Sequence, residues 1–288
     1  MDQDHSQLNL FSWQKETLGK GYEKLAAFCF DEAESVFLQV KKKHVSTDPE
    51  TEEALFCTNY WKKVFDELES TSRVKAIPFL YKETNRFNFS NTWGQQQFRS
   101  ALIRHLISLM QQQNMFHVND QVVLSDLFLQ IGQTDKAEEA LTGQLSTNQQ
   151  DNNLRFRLAQ IHWLNGLKGE ARRYYALGLL LNPASVPRLF LECDETADLI
   201  DKYGPEMAPA YGWVFGMLPL LRLPDEISVS GDSHRKALDC YRLLRKAEKA
   251  SKGGDMDECV KYRKAMKEAS PELYDEYFAL ISKRKLLW

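Results

Sequence analysis

The chain has 288 residues, of which 43% are apolar and 27% charged, and its formal net charge is −3 at neutral pH. These values are ordinary for a globular protein and supply enough apolar side chains to bury a core, so they do not favour a disordered chain. The nearly balanced charge also does not favour nucleic acid as the main partner, because nucleic-acid-binding domains are usually strongly basic.

The N-terminal segment, residues 1–11, is polar and is expected to be flexible. It lacks the basic and then apolar pattern of a secretory signal. The most apolar later stretch, 208–223, is interrupted by Pro209, Pro219 and Arg222 and is too short to span a membrane. The cysteines number five and are not spaced as a metal or redox pair. These features predict a cytoplasmic protein with reduced thiols and no membrane segment.

Apolar residues recur at helical spacing along most of the chain. In the segment 102–110, one helix face would hold Leu102, Leu106, Leu109 and Met110. No segment alternates like a β-strand for long, and most prolines and glycines lie at segment edges. The sequence therefore predicts an all-α protein of roughly a dozen helices joined by short turns.

Two segments, 118–151 and 152–185, align without a gap at a spacing of 34 residues. Equivalent positions hold Leu124 and Leu158, Ser125 and Ala159, Phe128 and His162, Gly132 and Gly166, Ala137 and Ala171, and Leu141 and Tyr175. The alanines would let paired helices approach closely, and the glycines lie where a first helix ends and left-handed backbone is commonly needed. Pro183 is expected to end the second helix of the segment 152–185.

This pattern resembles that of the tetratricopeptide repeat family, whose unit is a helix–turn–helix of about 34 residues. Weaker matches occur at 14–47, with Ala33 as the small residue, and at 240–273, with Cys259 in that place. The resemblance implies a right-handed superhelix, or solenoid, of stacked antiparallel helix pairs in which each pair packs on its neighbours.

The expected organisation is a single helical-repeat domain spanning 1–288. Its parts would be N-terminal and divergent helices at 12–115, two clear units at 118–185, a divergent insertion or cap at 186–232, and C-terminal helices at 233–288.

In the tetratricopeptide family, the first helix of each pair lines a concave face. The resemblance places on that face Tyr22, Asn119, Asp126, Leu129, Asn153, Phe156, Gln160 and Trp163. Some family members clamp a C-terminal carboxylate with Lys, Asn and Arg, but here Val122, Asp126 and Phe156 take clamp positions. The resemblance therefore implies a protein or peptide partner, bound as a helix or an extended segment. The alternative is that these side chains pack against helices of the same chain.

An aromatic cluster lies in the divergent segment, beside Gly212 and Gly216. It consists of Tyr203, Tyr211, Trp213 and Phe215. Such a cluster predicts either a partner or ligand pocket or the packed core of a cap, because aromatic side chains dominate both interfaces and cores.

Charge is unevenly distributed near the C-terminus, where residues 235–288 hold 14 basic and 9 acidic side chains. One predicted helix would carry a basic stripe made of Arg242, Arg245, Lys246 and Lys249. The stripe indicates an acidic partner or nucleic acid, a solvated face, or an internal contact with the acidic segment 185–233.

The sequence carries no motif for catalysis. Its six histidines are scattered, and the Gly253-Gly254 pair is not followed by the Lys of a phosphate-binding loop. His162 occupies a packing position of its repeat and is expected to be structural. No cofactor or metal is predicted. The favoured function is a non-enzymatic interaction scaffold; the alternatives are an adaptor acting through the basic stripe and an enzyme whose catalytic residues are distant in sequence.

Overall fold

A computed structural model describes residues 2–43, 48–119, 121–148, 151–187, 191, 194–223, 227, 229 and 231–286. These residues form thirteen helices and no strand, which confirms the all-α class. In chain order the helices are α1 Asp2–Ala26, α2 Phe30–Lys43, α3 Pro49–Ser70, α4 Arg73–Arg86, α5 Trp93–Gln112, α6 Leu124–Gln130, α7 Thr134–Thr147, α8 Asn152–Leu164, α9 Lys168–Leu181, α10 Asp194–Val214, α11 Asp232–Lys252, α12 Met256–Ala269 and α13 Pro271–Leu286. The segment expected to be flexible, 1–11, is helical from Asp2 onward.

The chain divides into two compact units, Met1–Ala137 and Glu138–Trp288, with the boundary inside α7. In the first unit, α1 packs on α2 and α5, and α3 packs on α2 and α4. The close approach of α1 and α2 depends on Gly21, because a Cβ at this position would overlap the Phe37 ring. Ala33 and Phe37 are fully buried, as expected for the small and the large residue at the contact of a helix pair.

The turn between α1 and α2 holds Phe28 in the left-handed region, at φ 60°. A non-glycine residue in that region costs about 1–2 kcal/mol, so the surrounding contacts must offset the strain. Its ring stacks on Phe65 with 4.9 Å between centroids and lies 5.1 Å from the His105 ring. Aromatic packing within the first unit therefore selects a backbone conformation that the sequence does not favour locally.

In the second unit, α8 and α9 form the most extensively packed helix pair, followed by α11 and α12. Gly166, between α8 and α9, has φ 77°, and Gly132 of the first unit, between α6 and α7, has φ 71°. The left-handed backbone expected at both glycines is thus confirmed. Helix α9 ends at Leu181, two residues before Pro183, as predicted. Gly254 repeats the left-handed turn between α11 and α12 at φ 77°.

A buried polar link joins the last three helices. The Tyr277 hydroxyl of α13 donates to Glu248 Oε1 of α11 at 3.0 Å, and Arg263 of α12 donates to the same hydroxyl at 3.4 Å. Burial raises the pKa of Tyr277 to about 12, so the hydroxyl remains a donor at neutral pH. The link gives the carboxylate of Glu248 a hydrogen-bond donor. This residue is only 6% exposed, and burying its carboxylate without a partner would cost free energy.

The first of the two aligned segments departs from a full helix pair, because α6 has only seven residues. Asn119, expected on a first helix, lies instead in the preceding loop, where its Oδ1 accepts from the backbone N–H groups of Gln121 and Val122 at 2.9 Å each. Val123 is extended, with φ −118° and ψ 166°, and forms an isolated bridge with His117. The expectation that Asn119 lies on a helix is therefore wrong.

Candidate functional site

The predicted concave-face residues of the first unit are mostly engaged within that unit. Tyr22 is 2% exposed, and its ring packs against Gly94 and Phe37. Asp126 accepts from the backbone N–H of Val123 at 3.0 Å and thereby starts α6. Leu129 is half-buried, while Asn119 is exposed in its loop.

The concave-face residues of the second unit all lie on α8, with different exposures. Phe156 is fully buried against Tyr175, at 6.1 Å between ring centroids, and a Cβ at Gly178 would come within 2.8 Å of its ring. Gln160 and Trp163 are half-buried, and Asn153 is exposed. Phe156 is therefore a core residue and not part of the exposed surface of α8.

The basic stripe of α11 is partly engaged by neighbouring side chains. Arg242 pairs with Asp239 at 3.0 Å, and the Lys246 ammonium lies 5.5 Å from the centroid of the Tyr262 ring. Arg242 and Arg245 are half-buried, and Lys246 and Lys249 are exposed. These contacts within the same unit reduce the positive charge available to a partner.

The aromatic cluster of α10 separates into two parts. Tyr203 and Tyr211 stack at 3.8 Å between centroids and 11° between planes, and Phe215 lies 6.2 Å from Tyr211. Trp213 instead lies 6.1 Å from Tyr277 and packs against the core of the second unit. The predicted cluster is thus a stack of three rings, with Trp213 directed elsewhere.

The stack depends on a bend in α10. Residues eight apart in a straight helix are separated by about 12 Å along the axis, which is too far for the stack that Tyr203 and Tyr211 form. Gly204 has φ 78° and ψ 154° and interrupts the helix directly after Tyr203. Only glycine adopts that backbone readily, so Gly204 is what turns the Tyr203 ring back onto Tyr211.

Two rings of the stack, those of Tyr203 and Tyr211, line a groove between α10 and α13, called here the α10–α13 groove. One part has a volume of about 560 Å³ and is lined by Lys202, Tyr203, Tyr211, Glu272, Asp275 and Glu276. An adjoining part of about 320 Å³ shares four of these residues and extends to α11, where it is lined by Ser233, Lys236, Ala237 and Cys240. The α13 end of the groove therefore combines aromatic faces with three carboxylates.

Electrostatics at the α13 end favour a bound cation. Glu272, Asp275 and Glu276 are exposed on the first turns of α13. Burial, and then the charge of Glu272, raise the pKa of Tyr211 to about 12, so its ring faces the groove as a neutral phenol. The Lys202 ammonium already lies 4.9 Å from the centroid of the Tyr203 ring. Aromatic faces attract cations through the ring quadrupole, and nearby carboxylates add to that attraction.

The groove lining includes one thiol. This thiol, Cys240, is 2% exposed, and burial raises its pKa, so it stays protonated and weakly nucleophilic near neutral pH. The lining residues described for the groove include no histidine. Over the described part of the chain, no group of three His, Cys, Asp or Glu side chains could hold a metal ion.

A second cavity lies in the first unit, between the end of α3 and the end of α5. Its volume is about 620 Å³, and it is lined by Phe65, Leu68, Glu69, Thr71, Ala76, His105, Leu109, Gln112 and Gln113. Burial lowers the pKa of His105, so the imidazole is neutral at pH 7. Its lining mixes apolar and polar side chains, and Glu69 is its one carboxylate, so it shows no charge pattern that would indicate a ligand class.

Sequence reasoning found the rings of the groove and missed its carboxylates. Glu272, Asp275 and Glu276 lie about 60 to 70 positions from Tyr203 and Tyr211 along the chain, and acidic residues at a helix start need no explanation beyond the helix dipole. Only the packing of α13 on α10 brings the two sets together.

Within the described residues, no helix is both long and apolar enough to cross a membrane. No family model matches this chain, and the comparisons with curated proteins and with solved structures find no similar protein.

Proposed function

We propose that the protein is a non-enzymatic binding scaffold that takes a segment of a partner protein into the α10–α13 groove. The observation that carries the proposal is the Tyr203–Tyr211 stack, at 3.8 Å, placed beside the carboxylates of α13. Aromatic side chains in a groove with a polar rim are typical of the few residues that provide most of the binding energy in protein interfaces.

The exposure of the groove favours a protein segment over an enclosed small molecule. Pockets for small ligands usually bury most of the ligand surface. Here the three carboxylates of α13 and Lys202, which line the groove, are all exposed. An extended segment can lie along such an open groove and contact the rings and the carboxylates at the same time.

We also propose that α8 and α9 are a tetratricopeptide-like pair with a second binding surface on α8. The left-handed Gly166, the fully buried Ala171 and the helix end before Pro183 support this assignment. The surface would consist of Asn153, Gln160 and Trp163. An adaptor acting through the basic stripe is a weaker candidate, because Arg242 and Lys246 already have partners within the second unit.

Site-specific photo-crosslinking tests these surfaces. A benzophenone amino acid would be introduced at one of three positions. Phe215 lies beside the groove, with its ring centroid 5.8 Å from that of Tyr203; Trp163 lies on α8; and the control, Phe56 on α3, is 66% exposed and outside the groove lining. In extract of the native host, we expect the Phe215 position to crosslink a discrete protein and the Phe56 position not to. Capture at Trp163 alone would place the binding site on α8, and equal capture at Phe215 and Phe56 would contradict a specific groove.

A further inference from the structure

We propose that the α10–α13 groove binds a basic protein segment, one lysine or arginine of which displaces Lys202 from the face of Tyr203. This inference rests on the proposed function and names the chemistry of the partner. It commits to a peptide segment with positive charge, and it assigns Lys202 the role of an internal ligand that occupies the cation position when no partner is bound.

The first argument is charge complementarity at the α13 end. Three carboxylates, those of Glu272, Asp275 and Glu276, line this part of the groove, and one lysine, Lys202, lies among them. An incoming anion would meet a net negative rim, and a neutral segment would leave the carboxylates without partners. A cationic side chain would contact both the ring faces and the carboxylates, which is the combination that recognises ammonium and guanidinium groups.

The second argument is that the groove already holds a cation supplied by the protein. The Lys202 ammonium lies 4.9 Å from the centroid of the Tyr203 ring, within the range of a cation–π contact. Lys202 is exposed, and its flexible side chain can move into solvent without disturbing the core. A partner cation would therefore take over a contact that the fold has already formed.

The third argument limits where the cation binds. In the part of the groove toward α11, two lysines, Lys202 and Lys236, outnumber the single carboxylate of Glu272, so this part does not favour a second positive charge. A bound segment would place its basic residue against Tyr203 and Glu276, and smaller polar or apolar residues toward α11. The groove would thus select the residue at one end of the segment for its positive charge and the residues at the other end for their small size.

Titration of the full-length protein with defined peptides tests the inference. The probes are fluorescein-labelled ten-residue peptides of Gly and Ser that carry three lysines, three glutamates or no charge, and binding is followed by fluorescence anisotropy at low salt. We expect the lysine peptide to bind, the other two not to, and the affinity to fall as salt is added. Equal binding of the uncharged peptide would overturn the proposal.

Two sets of variants locate the interaction. The double variant Glu272→Gln, Glu276→Gln should weaken binding of the lysine peptide by about fivefold or more. An exposed ion pair contributes up to about fivefold to an affinity, and this variant removes two carboxylates. The matched control, Glu139→Gln with Asp257→Asn, changes the net charge equally at exposed positions outside the groove lining and should have little effect. Equal weakening by both pairs would show general charge attraction and overturn the site.

Lys202 provides the decisive variant, because it is exposed and its replacement should not disturb folding. Lys202→Ala should tighten binding of the lysine peptide by about two- to fivefold, the range of one exposed cation–π contact, while Lys202→Arg should bind like the wild type. Unchanged or weaker binding by Lys202→Ala would overturn the role of Lys202. If crosslinking from Phe215 succeeds but the lysine peptide does not bind, the proposal that the groove is the binding site stands, and the proposal that the bound segment is basic is wrong.

Discussion

The segments 118–151 and 152–185 share a 34-residue pattern but differ in their first helix. In the second segment, α8 runs for 13 residues from a start at which Asp151 accepts from the backbone N–H of Asn153 at 2.9 Å. In the first, α6 is limited to seven residues, because the preceding residues form a loop closed by Asn119. The turn glycines and the alanines of the second helices are alike in both segments.

Residue type explains the difference. The aligned positions hold Val122 and Val123 in one segment and Phe156 and Arg157 in the other. Two adjacent β-branched residues favour extended backbone, and Asn119 offers the amides a partner outside a helix. The shared pattern therefore predicts the turn and the second helix in both segments, whereas the start of the first helix depends on a few local side chains.

The largest expected difference concerns the aligned pair Phe156 and Val122. Phe156 is fully buried beneath α9, so Phe156→Ala should lower the free energy of unfolding by about 3–5 kcal/mol. Val122 is half-buried in a loop, and Val122→Ala should cost about 1 kcal/mol or less. Urea unfolding followed by circular dichroism checks both values, and equal losses would mean that the segments pack alike despite their different helices.

The turn glycines should respond equally, because both have positive φ and a Cβ added at either one meets nothing within 4 Å. Gly166→Ala and Gly132→Ala should each lower the free energy of unfolding by about 1–2 kcal/mol, since alanine is strained in the left-handed region. The matched controls are Gly169→Ala in α9 and Gly143→Ala in α7, where a Cβ meets nothing within 4 Å. These should instead stabilise by about 0.5–1 kcal/mol, and stabilisation by Gly166→Ala would contradict the assigned turn.

The smallest effects should come from the residues that start each segment. Asp151→Ala removes a helix cap and should cost about 1 kcal/mol, with faster hydrogen exchange at the amides of Asn153 and Leu154. Asn119→Ala releases Gln121 and Val122 in an exposed loop and should cost less, about 0.5 kcal/mol. A larger loss for Asn119→Ala would show that the loop, and not α6, stabilises the first segment.

Much of the helical fold could be predicted from the sequence, because it depends on contacts between residues close in the chain. The positions of Gly132, Gly166 and Pro183 mark turns and helix ends through backbone preferences that act locally. The candidate site was only partly predictable. The rings of Tyr203 and Tyr211 stand out as a cluster, but their stacking requires the bend at Gly204, and Trp213 does not join them.

The sequence by itself determined the helical class, the turn glycines and the small residues that let paired helices approach, because spacing and backbone preference are properties of short segments. Tertiary structure alone decided which side chains meet. It buried Phe156 and Tyr22 in cores, held Phe28 in a strained conformation, and placed the carboxylates of α13 beside rings some 60 to 70 residues earlier. Such contacts depend on how helices distant in the chain pack, and no local pattern encodes that packing.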